Sequence, residues 1–233
     1  MNKQSNLYTT IYIIVLVVLV GTALAATSLA LRDRQQANVN ADKMRQILAS
    51  VNITATDGDV VTKFNEVIEK QLVVNSEGKE IEGSAFDINV AQQVKLPADE
   101  RQLPVYVCRT DNGLKYILPA YGAGLWGPIW GYISLDADGS KIYGAYFAHQ
   151  GETPGLGAEI EKPAFSNEFK GLNLFKEGQF LPIAVVKAGQ KPAGNEDYVN
   201  GISGGTITSK GVGAMIDNCL SPYKSFLETL RNN

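Results

Sequence analysis

The chain has 233 residues, 45% hydrophobic and 19% charged, with a formal net charge of −3. That length holds one ordinary domain plus an extra segment; the composition excludes a disordered chain, and the charge excludes the basic footprint of a nucleic-acid binder. Two widely separated cysteines, Cys108 and Cys219, and a single histidine exclude a zinc knuckle, a CxxC redox motif and a disulfide scaffold.

The apolar residues are unevenly spread. Leu7–Leu31 (LYTTIYIIVLVVLVGTALAATSLAL) carries no charge. As a helix it would be about 37 Å long, enough to cross a hydrocarbon core of ~30 Å. Lys3 precedes it, Arg32 and Arg34 follow it, and Tyr8 and Tyr12 stand where interfacial aromatics sit. The segment reads as a transmembrane anchor. The alternative is a cleaved signal peptide, with Ile11–Val20 as its apolar region and Ala23-Leu24-Ala25 as the cleavage site. Flanking charges favour neither orientation. The chain then divides into a tail (1–6), a transmembrane helix (7–31), a polar juxtamembrane linker (32–43) and one soluble domain (44–233).

Met44, Ile47, Leu48 and Val51 recur at helical spacing, with Asn40 or Asp42 as the expected N-cap. Val61, Phe64, Val67 and Ile68 form a second amphipathic set, with Asp59 as its expected cap. Residues 75–102 are charged and irregular, starting with a turn at Asn75–Gly78. From Leu103 the period shortens. Pro104–Arg109 and Leu114–Leu118 read as strands joined across Thr110-Asp111-Asn112-Gly113, a strong hairpin signal. Ile129–Asp136 and Lys141–His149 make a second hairpin, and Pro182–Lys187 a fifth strand. The last segment keeps helical spacing from Val212 to Leu230, with Cys219 on its apolar stripe and Pro222 expected to split or kink it. Helices, then mostly antiparallel strands, then a closing helix make an α+β pattern.

Three stretches are richer in glycine, proline and aromatics than turns require: Gly122–Tyr132 (GAGLWGPIWGY), His149–Ile160 (HQGETPGLGAEI) and Asn200–Gly213 (NGISGGTITSKGVG). In the third, Gly201, Gly204 and Gly205 precede a helix start rich in hydroxyls: Ser203, Thr206, Thr208 and Ser209, with Lys210 close behind. Such an end presents free N–H groups and a positive dipole, which suits phosphate. A glycine turn capped by those hydroxyls, with no ligand, explains the same residues. Ser209 before Lys210 breaks a Walker A match. Gly201-Ile202-Ser203-Gly204-Gly205 fits G-x-S-x-G, but the single histidine lies upstream, against the order of an α/β-hydrolase triad. The second stretch must be a structured loop, and Trp126 and Trp130 in the first suit either core packing or a flat ring.

The runs GLWGPIWGY, HQGETPGLGAEI and NGISGGTITSKGV together resemble the C subunit of the Na⁺-translocating NADH:quinone oxidoreductases, and the likeness covers nearly the whole chain. The ETPGLG (Glu152–Gly157) and S-G-x-T elements are shared with the flavin-carrying subunit of Rnf-type ferredoxin:NAD⁺ oxidoreductases. The resemblance implies an FMN-binding domain behind one membrane helix, with FMN attached covalently, through a phosphoester, to the threonine that ends an S/T-G-A-T motif. Here that motif is Ser203-Gly204-Gly205-Thr206, making Thr206 the acceptor and Thr208 the fallback. Gly205 replaces the usual alanine, and Asn200 stands where an aspartate often precedes the motif. The resemblance implies Thr153, Leu156 and Gly157 as neighbours of the cofactor, with the ring extending toward the ETPGLG loop; the residues themselves add Lys210 as a positive charge near the phosphate and Trp126 as an aromatic suited to the ring.

The resemblance further implies an electron relay between NADH and ubiquinone or menaquinone, coupled to Na⁺ export. It implies a periplasmic domain on a bacterial inner membrane, with other complex subunits, membrane lipid and a flavin transferase as partners. An Rnf-type subunit and a membrane-anchored module holding flavin noncovalently are the alternatives.

Overall fold

A computed structural model describes residues 6–232. Lys3, expected to flank the apolar segment, lies outside them. The chain divides into two compact units, 1–43 and 44–233. In the first, helix α1 (Asn6–Ser50) begins and runs without a break through Arg32–Lys43. The stretch read as a polar linker is therefore helical, and neither Asn40 nor Asp42 caps a new helix. Nothing in 32–43 breaks a helix, since it holds neither proline nor glycine. Side chains of the Leu7–Leu31 segment are largely exposed, as in Leu24 and Leu29. Among the described residues α1 alone is long and apolar enough to cross a membrane.

The second unit opens with the last turns of α1, where Ile47, Leu48 and Ser50 are buried. Asn52 ends the helix in the left-handed region (φ 62°), and Ile53 N–H closes back on the Leu48 carbonyl at 3.0 Å. Helix α2 (Val60–Val67) follows. The Asp59 carboxylate accepts from the Thr56 N–H and hydroxyl rather than capping α2. Ile68, expected on that helix, begins strand β1 (Ile68–Val74), which turns through Asn75–Gly78 into β2 (Glu80–Ile81). A short helix α3 (Val90–Gln93) precedes β3 (Leu103–Thr110), β4 (Gly113–Ala123), β5 (Pro128–Asp136) and β6 (Ile142–His149). These strands form one antiparallel sheet, ordered β2-β1-β3-β4-β5-β6. Both expected hairpins are present. The sheet confirms an α+β fold with a mostly antiparallel sheet flanked by helices.

Helix α4 (Pro163–Ser166) and a small hairpin, β7 (Phe175–Lys176) with β8 (Gln179–Phe180), follow. The expected fifth strand is short: β9 (Ala184–Val186) pairs in parallel with β10 (Tyr198–Asn200), outside the main sheet. Helix α5 (Thr206–Leu220), a 3-10 turn at Ser221–Tyr223 and α6 (Lys224–Arg231) close the chain, so Pro222 does split the terminal helix.

Alternation along β5 shows why its sequence is so apolar: both faces are covered. Ile129, Ile133 and Leu135 join the core under α5, with Val212, Met215, Ile216 and Leu220. On the other face Trp130 Nε1 donates to Gln46 (2.9 Å) and the Ser134 hydroxyl to the Ser50 carbonyl (2.6 Å), both at the end of α1. Phe147 of β6 packs with Phe165 and Phe169, ring centroids 5.0–5.6 Å apart. Two glycines let α5 settle closely: a Cβ at Gly122 would lie 2.7 Å from Met215 Cβ, and one at Gly211 would collide with the Ala123 carbonyl.

Arg101 anchors the far end of α5. Buried, it donates to the carbonyls of Leu96 (2.9 Å), Val94 (3.0 Å) and Asn218 (2.8 Å). A cation suits the C-terminal end of a helix, where carbonyls lack intrahelical partners. Arg101→Ala removes these part-buried, charge-assisted hydrogen bonds and should lower unfolding free energy by roughly 1–2 kcal/mol. A urea denaturation midpoint equal to wild type would contradict this role.

Candidate functional site

The Gly201–Gly205 loop connects β10 to α5. Gly204 takes a positive φ (76°), and a Cβ there would lie 2.6 Å from Leu156 Cδ2. A Cβ at Gly201 would press on Ser209 at 2.9 Å, and one at Gly205 on the Gly157 nitrogen at 3.2 Å. The loop is thus threaded between the 150–157 loop and the first turn of α5, where side chains would not fit.

The hydroxyls near this turn divide cleanly. Thr208 is buried and donates to Glu152 Oε2 at 2.5 Å; Ser209 is buried and accepts the Ile202 N–H at 2.8 Å. Both are committed to structure. Ser203 and Thr206 are exposed. Gly205 is the N-cap of α5 and no side chain caps the helix, unlike the alternative in which the hydroxyls would do so. Thr206, its first residue, therefore sits at an open helix N-terminus whose backbone N–H groups point outward.

Beside this terminus lies a cavity of about 320 Å³. Ile202, Ser203, Gly204, Thr206 and Lys210 form one wall; Val185, Val186 and Lys187 form the other. The structure therefore brings Ser203, Gly204, Thr206 and Lys210 together. Gly205 is buried behind them. The second wall, supplied by β9, was not foreseen; no local signal marks it, because it depends on β9 pairing with β10.

The expected residues Thr153, Leu156, Gly157 and Trp126 do not line this cavity. They flank the loop elsewhere: Leu156 is 42% exposed against Gly204, and Trp126, 68% exposed, stands at the tip between β4 and β5. The Thr153 carbonyl accepts from Leu156 and Ala158 N–H, each at 3.1 Å, which shapes the loop. Buried Gly157 has no room for a Cβ, which would collide with Glu152 Oε2 and lie 2.6 Å from Thr208 Oγ1. The tryptophans part company, since Trp130 packs on the end of α1 while Trp126 stays at the surface.

His149 serves the same loop. Its Nδ1 accepts the Glu152 N–H at 3.1 Å, and Nε2 stands 3.7 Å from Glu161. It is engaged by these groups rather than by Ser203, which removes the triad suggested by G-x-S-x-G. Neither cysteine is poised as a nucleophile: burial pushes the Cys108 thiol up to about 11 and also raises that of Cys219.

The residues present fit a flavin mononucleotide. An open helix terminus with Lys210 nearby suits a phosphate, a free hydroxyl stands at its first residue, and apolar Val185, Val186, Ile202, Leu156 and Trp126 offer surface to a ring. Comparison with known proteins agrees. The FMN-binding domain family matches residues 124–221. The C subunit of the Na(+)-translocating NADH-quinone reductase of Vibrio vulnificus is 33% identical over 252 aligned positions, covering 100% of this chain and 98% of the relative. The crystal structure of the corresponding Na(+)-translocating NADH-quinone reductase C subunit from Parabacteroides distasonis superposes with a TM-score of 0.80 at 53% identity, over 84% of this chain and 96% of that one. That of Shewanella oneidensis NqrC shares the fold, with a TM-score of 0.69 at 24% identity over 84% of this chain and 100% of that one.

Two outcomes follow from the packing. Gly157→Ala should destabilise the domain by roughly 1–3 kcal/mol, because the new methyl forces Glu152 and Thr208 aside; thermal unfolding reads this, and an unchanged midpoint contradicts the close packing. Iodoacetamide at pH 8 should leave both thiols unmodified in the folded protein and label both after denaturation, as mass spectrometry will report.

Proposed function

Because the chain belongs to the C-subunit family of the Na(+)-translocating NADH-quinone reductases, an oxidoreductase complex, we propose that it carries FMN bound covalently through Thr206 and serves as an electron relay in such a complex. The observation that carries the attachment is the division of hydroxyls at α5. Thr208, the fallback, is buried and held by Glu152, whereas Thr206 is exposed at an uncapped helix terminus.

Bound FMN supplies the capacity to accept and release electrons, and the protein supplies binding, orientation and electrostatics. The first-turn N–H groups of α5 and the Lys210 ammonium stabilise the single negative charge that a phosphodiester on Thr206 retains. Gly204 and Gly205 let the backbone approach it without steric conflict. Ser203 offers a hydroxyl to the same end. Val185, Val186 and Ile202 give the cavity an apolar wall, while Leu156, Thr153 and Trp126 present a second surface on the loop's flank and buried Gly157 lets that loop pack against Glu152 and Thr208.

In this reading Leu7–Leu31 is the anchor, 32–43 its juxtamembrane extension, and 44–233 the flavin domain. The protein lies on the bacterial inner membrane with that domain on the periplasmic face, among the other subunits and lipid, and is matured by a flavin transferase. A covalent bond retains the cofactor there, where a dissociated flavin would be lost. Electrons pass from NADH toward a quinone, with Na⁺ export coupled to the whole complex.

Coexpression with a flavin transferase tests the attachment. Wild type should gain the mass of one FMN that survives denaturation and fluoresce in a denaturing gel, while Thr206→Val should lose both signals completely. A fluorescent Thr206→Val band rules Thr206 out. A wild-type chain that binds flavin but loses it on denaturation establishes the noncovalent alternative.

A further inference from the structure

Glu152 lines no part of the cavity, yet it is only 5% exposed and both of its oxygens are engaged. Oε1 accepts the Trp126 N–H at 2.8 Å and Oε2 the Thr208 hydroxyl at 2.5 Å, while its own N–H donates to His149 Nδ1. Two glycines make way for it: a Cβ at Gly124 would collide with Oε1, and one at Gly157 with Oε2. Among the described residues no lysine, arginine or histidine forms an ion pair with this carboxylate.

Burying a carboxylate without a cation is costly, and one whose oxygens serve two separate segments must do something an apolar residue cannot. Its compensation comes from dipoles: an N–H, a hydroxyl and the positive end of α5, since Thr208 lies in the first turn of that helix. The same turn carries Thr206. The carboxylate is therefore hydrogen-bonded to a residue two positions along the chain from the proposed attachment point.

We propose that Glu152 is a positioning residue of the flavin site. It pins the tip between β4 and β5, the 150–157 loop and the first turn of α5 to one another. Its negative charge, which dipoles solvate but no cation neutralises, also opposes further negative charge at the Thr206 end. This rests on the FMN reading above. By like-charge repulsion in a partly desolvated setting, Glu152 lowers the midpoint potential of a flavin held there.

The test uses the full chain in detergent, coexpressed with a flavin transferase, as wild type, Glu152→Gln, Glu152→Ala and Thr208→Val. Glu152→Gln, which keeps the shape and removes the charge, should shift the flavin midpoint potential to a more positive value. Thr208→Val, which keeps the charge and removes one hydrogen bond, should leave the potential close to wild type. In Glu152→Ala, amide hydrogen exchange should quicken by about tenfold at the 124–127 tip, the 150–157 loop and the start of α5. If that variant fails to fold, Glu152→Leu, which keeps much of the bulk and can accept neither hydrogen bond, is read in the same way. An unmoved or more negative potential in Glu152→Gln, or exchange no faster than wild type, overturns the proposal. Intact mass separates the two readings. If wild type carries no flavin, the proposed function falls, and exchange alone decides whether Glu152 positions these segments.

Discussion

The close seating of α5 on the central sheet is the contact on which the rest of the domain depends. Gly122 and Gly211 bring helix and strand near enough for Val212, Met215, Ile216 and Leu220 to share a core with Ile129, Ile133 and Leu135. With its far end held by Arg101, the helix has little freedom to slide along its axis. Its N-terminus is thereby delivered to the meeting point of three loops. A longer helix–sheet distance would carry Thr206 away from the β9 wall and Thr208 away from Glu152.

Around that terminus the protein accepts costs that an ordinary packed domain would avoid. A helix start is left without a side-chain cap, a carboxylate is buried without a cation, and a tryptophan stays at the surface. With Gly205 at the N-cap the lost side-chain cap costs only about a few tenths of a kcal/mol, and the first-turn N–H groups stay open, as the proposed anion site requires. The glycines fit the same account. Gly124 and Gly157 clear space for Glu152, and Gly204 and Gly205 for the loop itself. Departures from local optimality that gather in one place mark a site rather than a flaw in packing.

Much of the fold was legible before any coordinate. Both hairpins announce themselves through alternation and turn residues, Asn112-Gly113 in the first. The terminal helix and its break at Pro222 follow from spacing and from a missing N–H. Less legible was β1, because Val67 and Ile68 continue a helical spacing; Ile68 leaves the helix because pairing with Cys108 of β3 offers its backbone a partner in a buried sheet. The 32–43 stretch looked like a linker because its surface is polar, but polarity does not end a helix. Within the site, Ser203, Gly204, Gly205, Thr206 and Lys210 stood out through one short motif. The Val185–Lys187 wall and the Glu152 junction rest on pairings across many residues, which leave no periodic trace.

Sequence alone determined what chain-local chemistry controls. It carried the uncharged apolar run, the turn-defined strands, the family and the short list of hydroxyls that could take a phosphoester. Tertiary structure decided which of those hydroxyls are free. Thr208 and Thr206 stand two residues apart with the same side chain; the motif favours Thr206, but only burial distinguishes their surroundings. Helical geometry turns the first inward to a buried carboxylate and leaves the second outside, at the open end of a dipole.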